Sequence, residues 1–280
     1  MTHFTQGSGE GGWGAARADL GPPAQTGPDE VRGGSSADAA WTVERLAGSA
    51  DQLHRLGLSD PSRRRLRWCR AEGPALVLGS AEPEGHVDRA AAAALGLPVV
   101  RRRSGGSSVV VGPGRVGWLD VVVPAGDALW SDDVGVAPLW LGRAWATALG
   151  VLGAPGLVVH AGPMQRSVWS GYVCFAGTGP GEVGGAAGKV VGISQRRTRG
   201  AALFQCGVLL HWDPAEAVAA LAVDRAAATA ALAGSAGGLD VVLGRRAEPG
   251  ELEAAFERAV GGAAAGACPG EQVIAREGVV

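Results

Sequence analysis

The sequence predicts an α+β protein in which a mixed β-sheet is flanked by helices. Short apolar runs bounded by glycine and proline are typical of buried strands, and alanine-rich stretches with capping residues are typical of helices. The two kinds of segment follow one another without a regular β-α-β alternation, which favours a mixed sheet over a doubly wound parallel one. With 280 residues, 46% of them hydrophobic, the chain can bury a core in one large domain with a small appendage.

Helical spacing or capping residues mark five segments. From Trp41 the apolar residues recur at helical intervals up to a glycine at position 57, and Asp213 followed by Pro214 is typical of a helix start. The predicted helices cover residues 41–56, 86–95, 132–152, 214–232 and 251–260.

Strand patterns fill much of the remaining chain. The run Ala75 to Leu78 lies between Gly-Pro and Gly-Ser pairs, and the strands near residues 100 and 110 flank a Gly-Gly turn. The predicted strands cover residues 75–78, 99–103, 107–111, 116–123, 157–160, 189–194 and 202–212. Residues 162–188 are mostly small and predict a long ordered loop, a type of segment that is usually functional.

Composition divides the chain into three parts. Residues 1–38 are dominated by Gly, Ser, Pro and Ala with scattered charges, so we expect a disordered leader. Residues 39–235 form the predicted main domain. Residues 236–280 are predicted to add a small C-terminal helical extension and a flexible tail.

Charge and cysteine content exclude several classes of protein. A formal net charge of -2 argues against nucleic-acid binding through a global basic field. No apolar run approaches the roughly 18 to 20 residues of a membrane span. The four cysteines include no C-x-x-C pair, and the N-terminus shows no secretory signal, so we expect free thiols, a cytoplasmic location and no metal site.

Lys189 is the only lysine beside 24 arginines in the chain. Arginine serves for surface charge, whereas a compact amine that exchanges a proton or places a point charge on one oxygen has to be lysine. Lys189 is therefore a candidate for chemistry, although loss of the other lysines by drift would give the same count. The glycine-rich string before it is not a P-loop, since Val183 and Val190 replace the required Gly and Ser or Thr.

A second string, from Arg101 to Ser108, places three arginines before a turn rich in glycine and serine. Exposed amides in such a turn form an anion-binding nest. The alternative interpretation is a solvated hairpin with charged flanks.

Together the two strings resemble the lipoate ligase and octanoyltransferase family. The resemblance rests on R-R-x-S-G-G at 101–106, on G-K-V-V-G-I-S-Q-R-R at 188–197 and on an apolar strand that ends at Asp213 and Pro214. It implies a class II biotin/lipoyl ligase-like catalytic domain in residues 39–235. It also implies that acyl-binding residues are Arg101, Arg102, Ser104, Gly105, Gly106, Ser107, Gly188 and Gly192, with Lys189 at the acyl carbonyl.

Cys174 distinguishes two activities within this family. In one group of octanoyltransferases a Cys-Phe pair before the G-K string carries the acyl group, and Cys174 and Phe175 occupy that place. Thioester exchange requires an accessible thiolate, which a nearby cation favours. The resemblance thus implies catalytic roles for Cys174 and Lys189; the alternative is an inert, buried cysteine.

Three functions remain open at this level. The first is octanoyl or lipoyl transfer without a cofactor, from acyl carrier protein to lipoyl-domain proteins such as the glycine-cleavage H protein or dehydrogenase E2 subunits. The second is an ATP- and Mg²⁺-dependent lipoate ligase or a lipoyl-AMP-fed transferase. Bacterial ligases of the family carry a further C-terminal domain, for which the 67 residues after Asp213 leave little room. The third is a non-catalytic binder of lipoyl domains.

Overall fold

Two β-sheets packed against each other form the centre of the protein in the computed structural model. The structure describes residues 40–58 and 61–261 and the backbone of residues 272–273, all within one compact unit. The predicted leader, residues 1–38, and most of the predicted tail lie outside the described residues.

The larger sheet has eight strands in the order β11-β1-β2-β6-β10-β9-β8-β7. The pairs of β1 with β2 and with β11 are parallel and the others are antiparallel, so the sheet is mixed as predicted. Its strands are β1 (Thr42–Gly48), β2 (Arg65–Ala71), β6 (Val116–Pro124), β7 (Val158–Val159), β8 (Val183–Gly185), β9 (Gly188–Arg197), β10 (Ala201–Leu209) and β11 (Gln272–Val273).

The smaller sheet has the order β4-β3-β5, with β3 (Ala75–Leu78) between β4 (Val99–Arg101) and β5 (Val109–Val111). The two strands predicted around the Gly-Gly turn both exist, but each pairs with β3 and not with the other. Side chains alternate across β3 as the strand period requires. Ala75 and Val77 face the larger sheet, whereas Leu76 and Leu78 face helices.

Seven α-helices among the described residues cover the sheets. They are α1 (Ala50–Leu56), α2 (Arg89–Ala94), α3 (Leu139–Val151), α4 (Pro214–Val218), α5 (Arg225–Leu232), α6 (Leu239–Leu243) and α7 (Pro249–Ala259). Helices α3 and α7 pack on one face of the larger sheet around Trp145 and Phe256. Helices α2, α4 and α5 pack on the outer face of the smaller sheet.

The first predicted helix is wrong in its N-terminal half. Residues 42–48 form a strand in seven-residue parallel register with β2, which the sequence analysis missed. The helix begins only after Ser49, whose hydroxyl accepts a hydrogen bond from the Gln52 amide while the Gln52 side chain binds the Ser49 amide. Long-range pairing with β2 therefore overrides the apolar spacing that suggested a continuous helix.

Three later helices are also shorter than predicted, and the predicted 86–95 helix covers only Arg89–Ala94. The predicted 132–152 helix begins at Leu139, since Asp133 caps a preceding turn by accepting from the amide of Gly135. The predicted 214–232 helix is divided into α4 and α5, and Asp224 caps the second part by accepting from the Ala227 amide. The Asp213 cap of α4 is confirmed, because its carboxylate accepts from the Ala215 amide at 2.8 Å.

The segment assigned to a C-terminal extension is part of the main core as far as α7. Leu239, Leu252 and Phe256 are at most 2% exposed and pack in the same cluster as Trp145 and Leu119. The described residues after 235 therefore complete the face of the larger sheet that α3 covers.

Candidate active site

The loop between β4 and β5 is closed by Arg102. Its guanidinium donates to the carbonyl oxygens of Gly105 and Ser107, both at 2.8 Å from Nη2, and it is almost fully buried. A planar fork of donors suits this task because one side chain binds several carbonyl groups of the same turn. Arg102 thus fixes the shape of the loop while lining a cavity between the two sheets.

Arg101 lies away from that cavity. Its Nη1 donates to the carbonyl oxygens of Gly79 and Glu82 at 2.8 and 2.7 Å, and Nη2 pairs with Glu84. The structure therefore assigns Arg101 to the support of the preceding turn and not to the cavity wall. Alternation along the chain separates the two arginines, which the motif alone does not distinguish.

Three serine hydroxyls attach the loop to its surroundings. Ser104 Oγ donates to Gln205 Oε1 at 2.6 Å and lies 2.9 Å from Ser194 Oγ. Ser107 and Ser108 donate to the carbonyl oxygens of Ser170 and Tyr172. The loop is therefore anchored to the larger sheet on one side and to the long 160–182 loop on the other.

The position of Gly106 requires a residue without a side chain. Its φ is +94°, and a Cβ there would lie 2.7 Å from Arg102 Nη2 and 3.9 Å from Cys174 Sγ. The guanidinium and the thiol thus flank the same glycine. Among the described residues, the amides of Gly105, Gly106 and Ser107 donate no hydrogen bond to another group of the protein.

Cys174 begins a short 3-10 turn, Cys174–Ala176. Its amide donates to the carbonyl of Ser108 at 2.9 Å, and the residue is half-buried at the cavity. Burial raises the pKa of Cys206 to about 12 and also raises that of Cys69 well above its ordinary value. Of the cysteines in the described ranges, Cys174 alone is partly exposed.

Lys189 is 1% exposed, and its ammonium is held by three acceptors. Nζ donates to the carbonyl oxygens of Cys174 and Gly177, both at 2.7 Å, and to Glu182 Oε2 at 2.8 Å. Three acceptors match the three protons of an ammonium. The cavity wall includes Cys174 and Gly192 but not Lys189. In this structure Lys189 therefore contacts the backbone of the nucleophile candidate.

Glu182 is one of the residues that sequence reasoning missed. Besides Lys189, its carboxylate accepts from the amides of Gly179 at 2.6 Å and Ile193 at 3.0 Å. Glu182 is the single acidic residue in the small-residue stretch 162–188, and this isolation, like that of Lys189, is a signal that the sequence contains. A buried lysine requires such a partner.

The two other predicted glycines serve close packing. Gly188 has φ +93°, and a Cβ there would lie 2.7 Å from the Ala236 amide nitrogen. A Cβ on Gly192 would lie 3.2 Å from Phe175 Cζ. Gly188 therefore supports the start of β9, whereas Gly192 leaves room in the cavity beside Phe175.

The cavity is narrow and mainly apolar. Its walls come from both sheets and from the Cys174 turn, and they include Val77, Val111, Trp118, Phe175 and Gly207. The wall also includes His54 and Gln205, and Gln205 donates to Asp120. All three side chains of this polar group are at least 90% buried. A larger cavity of about 740 Å³, near α7 and the turn at Gly112–Gly114, includes none of the predicted site residues.

Burial shifts the protonation of this polar group. The pKa of His54 is lowered to about 3, first by burial and then by the charge of Arg102. The pKa of Asp120 is raised to about 6, chiefly by burial, against the hydrogen bonds from Trp118 and Gln205. Near neutral pH, His54 is therefore a neutral imidazole and Asp120 a carboxylate.

Residues 40–58 and 61–261 contain neither a metal-binding cluster nor a membrane-spanning helix. No cluster of three or more His, Cys, Asp or Glu side chains in these ranges is arranged to hold a metal ion. None of the helices described there has the length and apolarity to cross a membrane.

Comparison with solved structures identifies proteins of similar fold. The chain resembles a lipoate-protein ligase A bound with ATP (17% identity, 79% of this chain and 83% of that chain, TM-score 0.59). It also resembles a bipartite lipoate protein ligase from Thermoplasma acidophilum (16%, 79% and 82%, 0.59) and a protein of that organism with bound lipoic acid (16%, 79% and 83%, 0.58).

Comparison at the level of sequence assigns the family. No functionally curated protein matches the chain at a significant level. Residues 50–260, however, match the lipoyl protein ligase A/B catalytic domain, and this range contains the Arg101–Ser108 loop, Cys174 and Lys189. The mixed sheet with flanking helices is the fold expected from the sequence motifs. The chain therefore belongs to the lipoyl protein ligase A/B catalytic-domain family.

Proposed function

We propose that this protein transfers a medium-length acyl group, octanoyl or lipoyl, to a specific lysine of lipoyl-domain proteins through a thioester on Cys174. Membership of a family of lipoyl-attaching enzymes supports the attachment of the acyl group to protein. The observation that carries the thioester route is the position of Cys174, which is half-buried at an apolar cavity with its thiol beside Gly106 of the 101–108 loop.

The reaction has two halves. In the first, the Cys174 thiolate attacks the carbonyl carbon of an acyl thioester on acyl carrier protein, the bond to the carrier thiol breaks, and that thiol leaves with a proton. In the second, the target lysine amine attacks the Cys174 thioester, an amide forms, and the Cys174 thiol is restored. Both tetrahedral intermediates place negative charge on the former carbonyl oxygen, which the amides of residues 105–107 stabilise.

Lys189 acts in this scheme as a positioning residue. Its ammonium binds the Cys174 carbonyl oxygen at 2.7 Å and is neutralised by Glu182 at 2.8 Å. This arrangement fixes the turn that presents the thiol, because a buried charge pair with complete hydrogen bonds has one well-defined geometry. Arg102 also contributes to the shape of the site, because its guanidinium binds the carbonyl groups of the neighbouring loop.

A second candidate function is ATP-dependent ligation. The structurally similar lipoate-protein ligase A was solved with ATP. A ligase forms an acyl-adenylate, so it requires ATP with Mg²⁺ and no thiol, and a lipoyl-AMP-fed transferase likewise works without Cys174. The proposed acceptors are lipoyl-domain proteins in either case, such as the glycine-cleavage H protein or dehydrogenase E2 subunits, and the proposed location is the cytoplasm.

Mass spectrometry separates the two candidates. Wild type, Cys174→Ser and Cys69→Ala are incubated with octanoyl and lipoyl carrier protein without acceptor. We expect an acyl adduct on Cys174 that hydroxylamine removes, in wild type and in Cys69→Ala, whose altered residue is buried away from the cavity. Cys174→Ser should form no adduct that hydroxylamine cleaves as readily as a thioester.

Two other outcomes would reject the thioester route. ATP-pyrophosphate exchange dependent on lipoate, with full transfer to a lipoyl domain by Cys174→Ser, would reject the thioester route in favour of ligation. Binding of lipoyl domains without turnover from acyl carrier protein, lipoyl-AMP, or lipoate with ATP would show a binding module instead.

A further inference from the structure

One wall of the cavity belongs to a connected set of buried polar side chains. Gln205 Nε2 lies 3.1 Å from Asp120 Oδ1 and 3.3 Å from His54 Nδ1, and Gln205 Oε1 accepts from Ser104 Oγ at 2.6 Å. His54 is 9% exposed, and its ring stacks on Trp118 with centroids 4.3 Å apart. The loop that holds Cys174 at one end of the cavity thus reaches this set through Ser104.

These contacts determine the tautomer of His54. The Gln205 amide nitrogen faces the Asp120 carboxylate and its oxygen faces the Ser104 hydroxyl, so the amide has one consistent orientation. Gln205 Nε2 then donates its second proton to His54 Nδ1. Since burial lowers the pKa of His54 to about 3, the imidazole is neutral and carries its single proton on Nε2.

The Nε2 donor of His54 has no hydrogen-bond partner among the described residues and is buried. The ring forms part of the cavity wall together with Val77, Val111 and Trp118, none of which offers an acceptor in its side chain. A buried donor without a partner is costly and calls for an explanation. A ligand that brings an acceptor to this wall would satisfy it.

The positions of the two ends agree with an extended acyl chain. Phe175, next to Cys174, packs at Gly192, which pairs with Gly207 of β10. His54 contacts Gln205, which lies two residues before Gly207 in β10, a distance of about 7 Å at the usual strand rise. A carbonyl at Cys174 therefore places the middle and tail of a medium-length chain near His54.

We propose that His54 selects acyl chains with a hydrogen-bond acceptor near the tail, so that the cavity prefers a lipoyl over an octanoyl chain. The inference rests on the proposed function only in that the acyl chain occupies this cavity. The dithiolane sulfurs of a lipoyl chain are weak acceptors for the Nε2 proton. An octanoyl chain ends in methylene and methyl groups and leaves the donor unpaired.

Direct binding tests this preference without any chemical step. Isothermal titration measures the affinities of lipoamide and octanamide, which are neutral and need neither thioester nor ATP. We expect wild type and Cys174→Ser to bind lipoamide about fivefold or more tightly than octanamide, as a satisfied buried donor implies. In His54→Leu, of similar size without a donor, the two affinities should be equal within about twofold.

A second variant controls for loss of structure. His54→Gln keeps an N–H donor, so it should retain part of the preference, and thermal unfolding shows which variants fold. Equal affinities for the two amides in wild type, or an unchanged preference in folded His54→Leu, would overturn the role of His54. Neither result would affect the Cys174 adduct experiment. Lack of binding by either amide would overturn the assignment of this cavity to the acyl chain.

Discussion

The ammonium of Lys189 and the carboxylate of Glu182 form an ion pair of 2.8 Å in the interior of the protein. The two side chains are 2% and 7% exposed, and the ammonium also binds the carbonyl oxygens of Cys174 and Gly177. The pair therefore connects β9 to the turn that carries Cys174. The single lysine of the chain is used for this connection.

Breaking this pair should destabilise the protein strongly. Lys189→Met leaves the Glu182 carboxylate buried without its partner, and we expect the free energy of unfolding to decrease by about 3 to 5 kcal/mol. Urea denaturation measures the change. Arg55→Met, which removes an exposed ion pair with Asp51, is the control and should cost at most about 0.5 kcal/mol. A loss below about 1 kcal/mol in Lys189→Met would contradict the structural role.

Lys189→Arg should slow acylation of Cys174. A planar guanidinium does not fit three acceptors arranged around one ammonium, so the turn that carries the thiol should shift. We expect the rate of acyl-adduct formation to fall by about tenfold or more, measured by quenched-flow mass spectrometry. Glu182→Gln should slow the same step, because Glu182 acts through Lys189. Normal rates in both folded variants would show that the ion pair does not position Cys174.

The two glycines of the 101–108 loop should differ in their tolerance of alanine. Gly106→Ala places a Cβ 2.7 Å from Arg102 Nη2 at a φ of +94°, and we expect a stability loss of about 1 to 3 kcal/mol. A Cβ on Gly105 meets no atom within 4 Å, so the stability of Gly105→Ala should change by less than about 0.5 kcal/mol. Thermal unfolding of the two variants provides the comparison, and equal losses would refute the loop geometry.

Alkylation should distinguish the cysteines of the described region. Cys174 is half-buried, whereas Cys69 and Cys206 are buried and burial raises the pKa of each. We expect iodoacetamide to modify Cys174 at least about tenfold faster than the other two in the native protein. Peptide mapping measures the three rates, and the difference should disappear in denaturant. Native reactivity of Cys206 equal to that of Cys174 would be inconsistent with the structure.

His54 should make the protein sensitive to acid. Its pKa falls from 6.5 to about 3 on folding, so between these values the unfolded chain binds the additional proton and the free energy of unfolding decreases with decreasing pH. Asp120 acts in the opposite direction, because its pKa rises from 3.8 to about 6. It favours the folded state as pH falls through 6, which offsets part of the loss.

The variant His54→Leu isolates the first of these effects. Between about pH 7 and about pH 4 its free energy of unfolding should increase by on the order of 3 kcal/mol relative to wild type. Urea denaturation at the two pH values measures the difference. If wild type and variant changed in parallel, His54 would not be a buried neutral imidazole.

The sequence determined the class of fold, most strands and the candidate nucleophile. Short apolar runs between glycine and proline located β3, β5, β6 and β10 to within a few residues. A buried strand requires apolar side chains at consecutive positions, and this requirement is visible in the sequence. The two motifs indicated the family and directed attention to Cys174, Arg102 and Ser104, all of which lie at or beside one cavity.

The tertiary structure decided what each polar residue does. Glu182 is only seven residues from Lys189, but the two side chains meet because β8 and β9 form a hairpin between them. The position of Arg101 and the unpaired proton of His54 depend on the approach of segments distant in the chain. Residues 42–48 became a strand for the same reason, since β2 pairs with them. Local patterns report which residues are buried, whereas hydrogen bonds and ion pairs are short-range and depend on which groups the fold brings within about 3 Å.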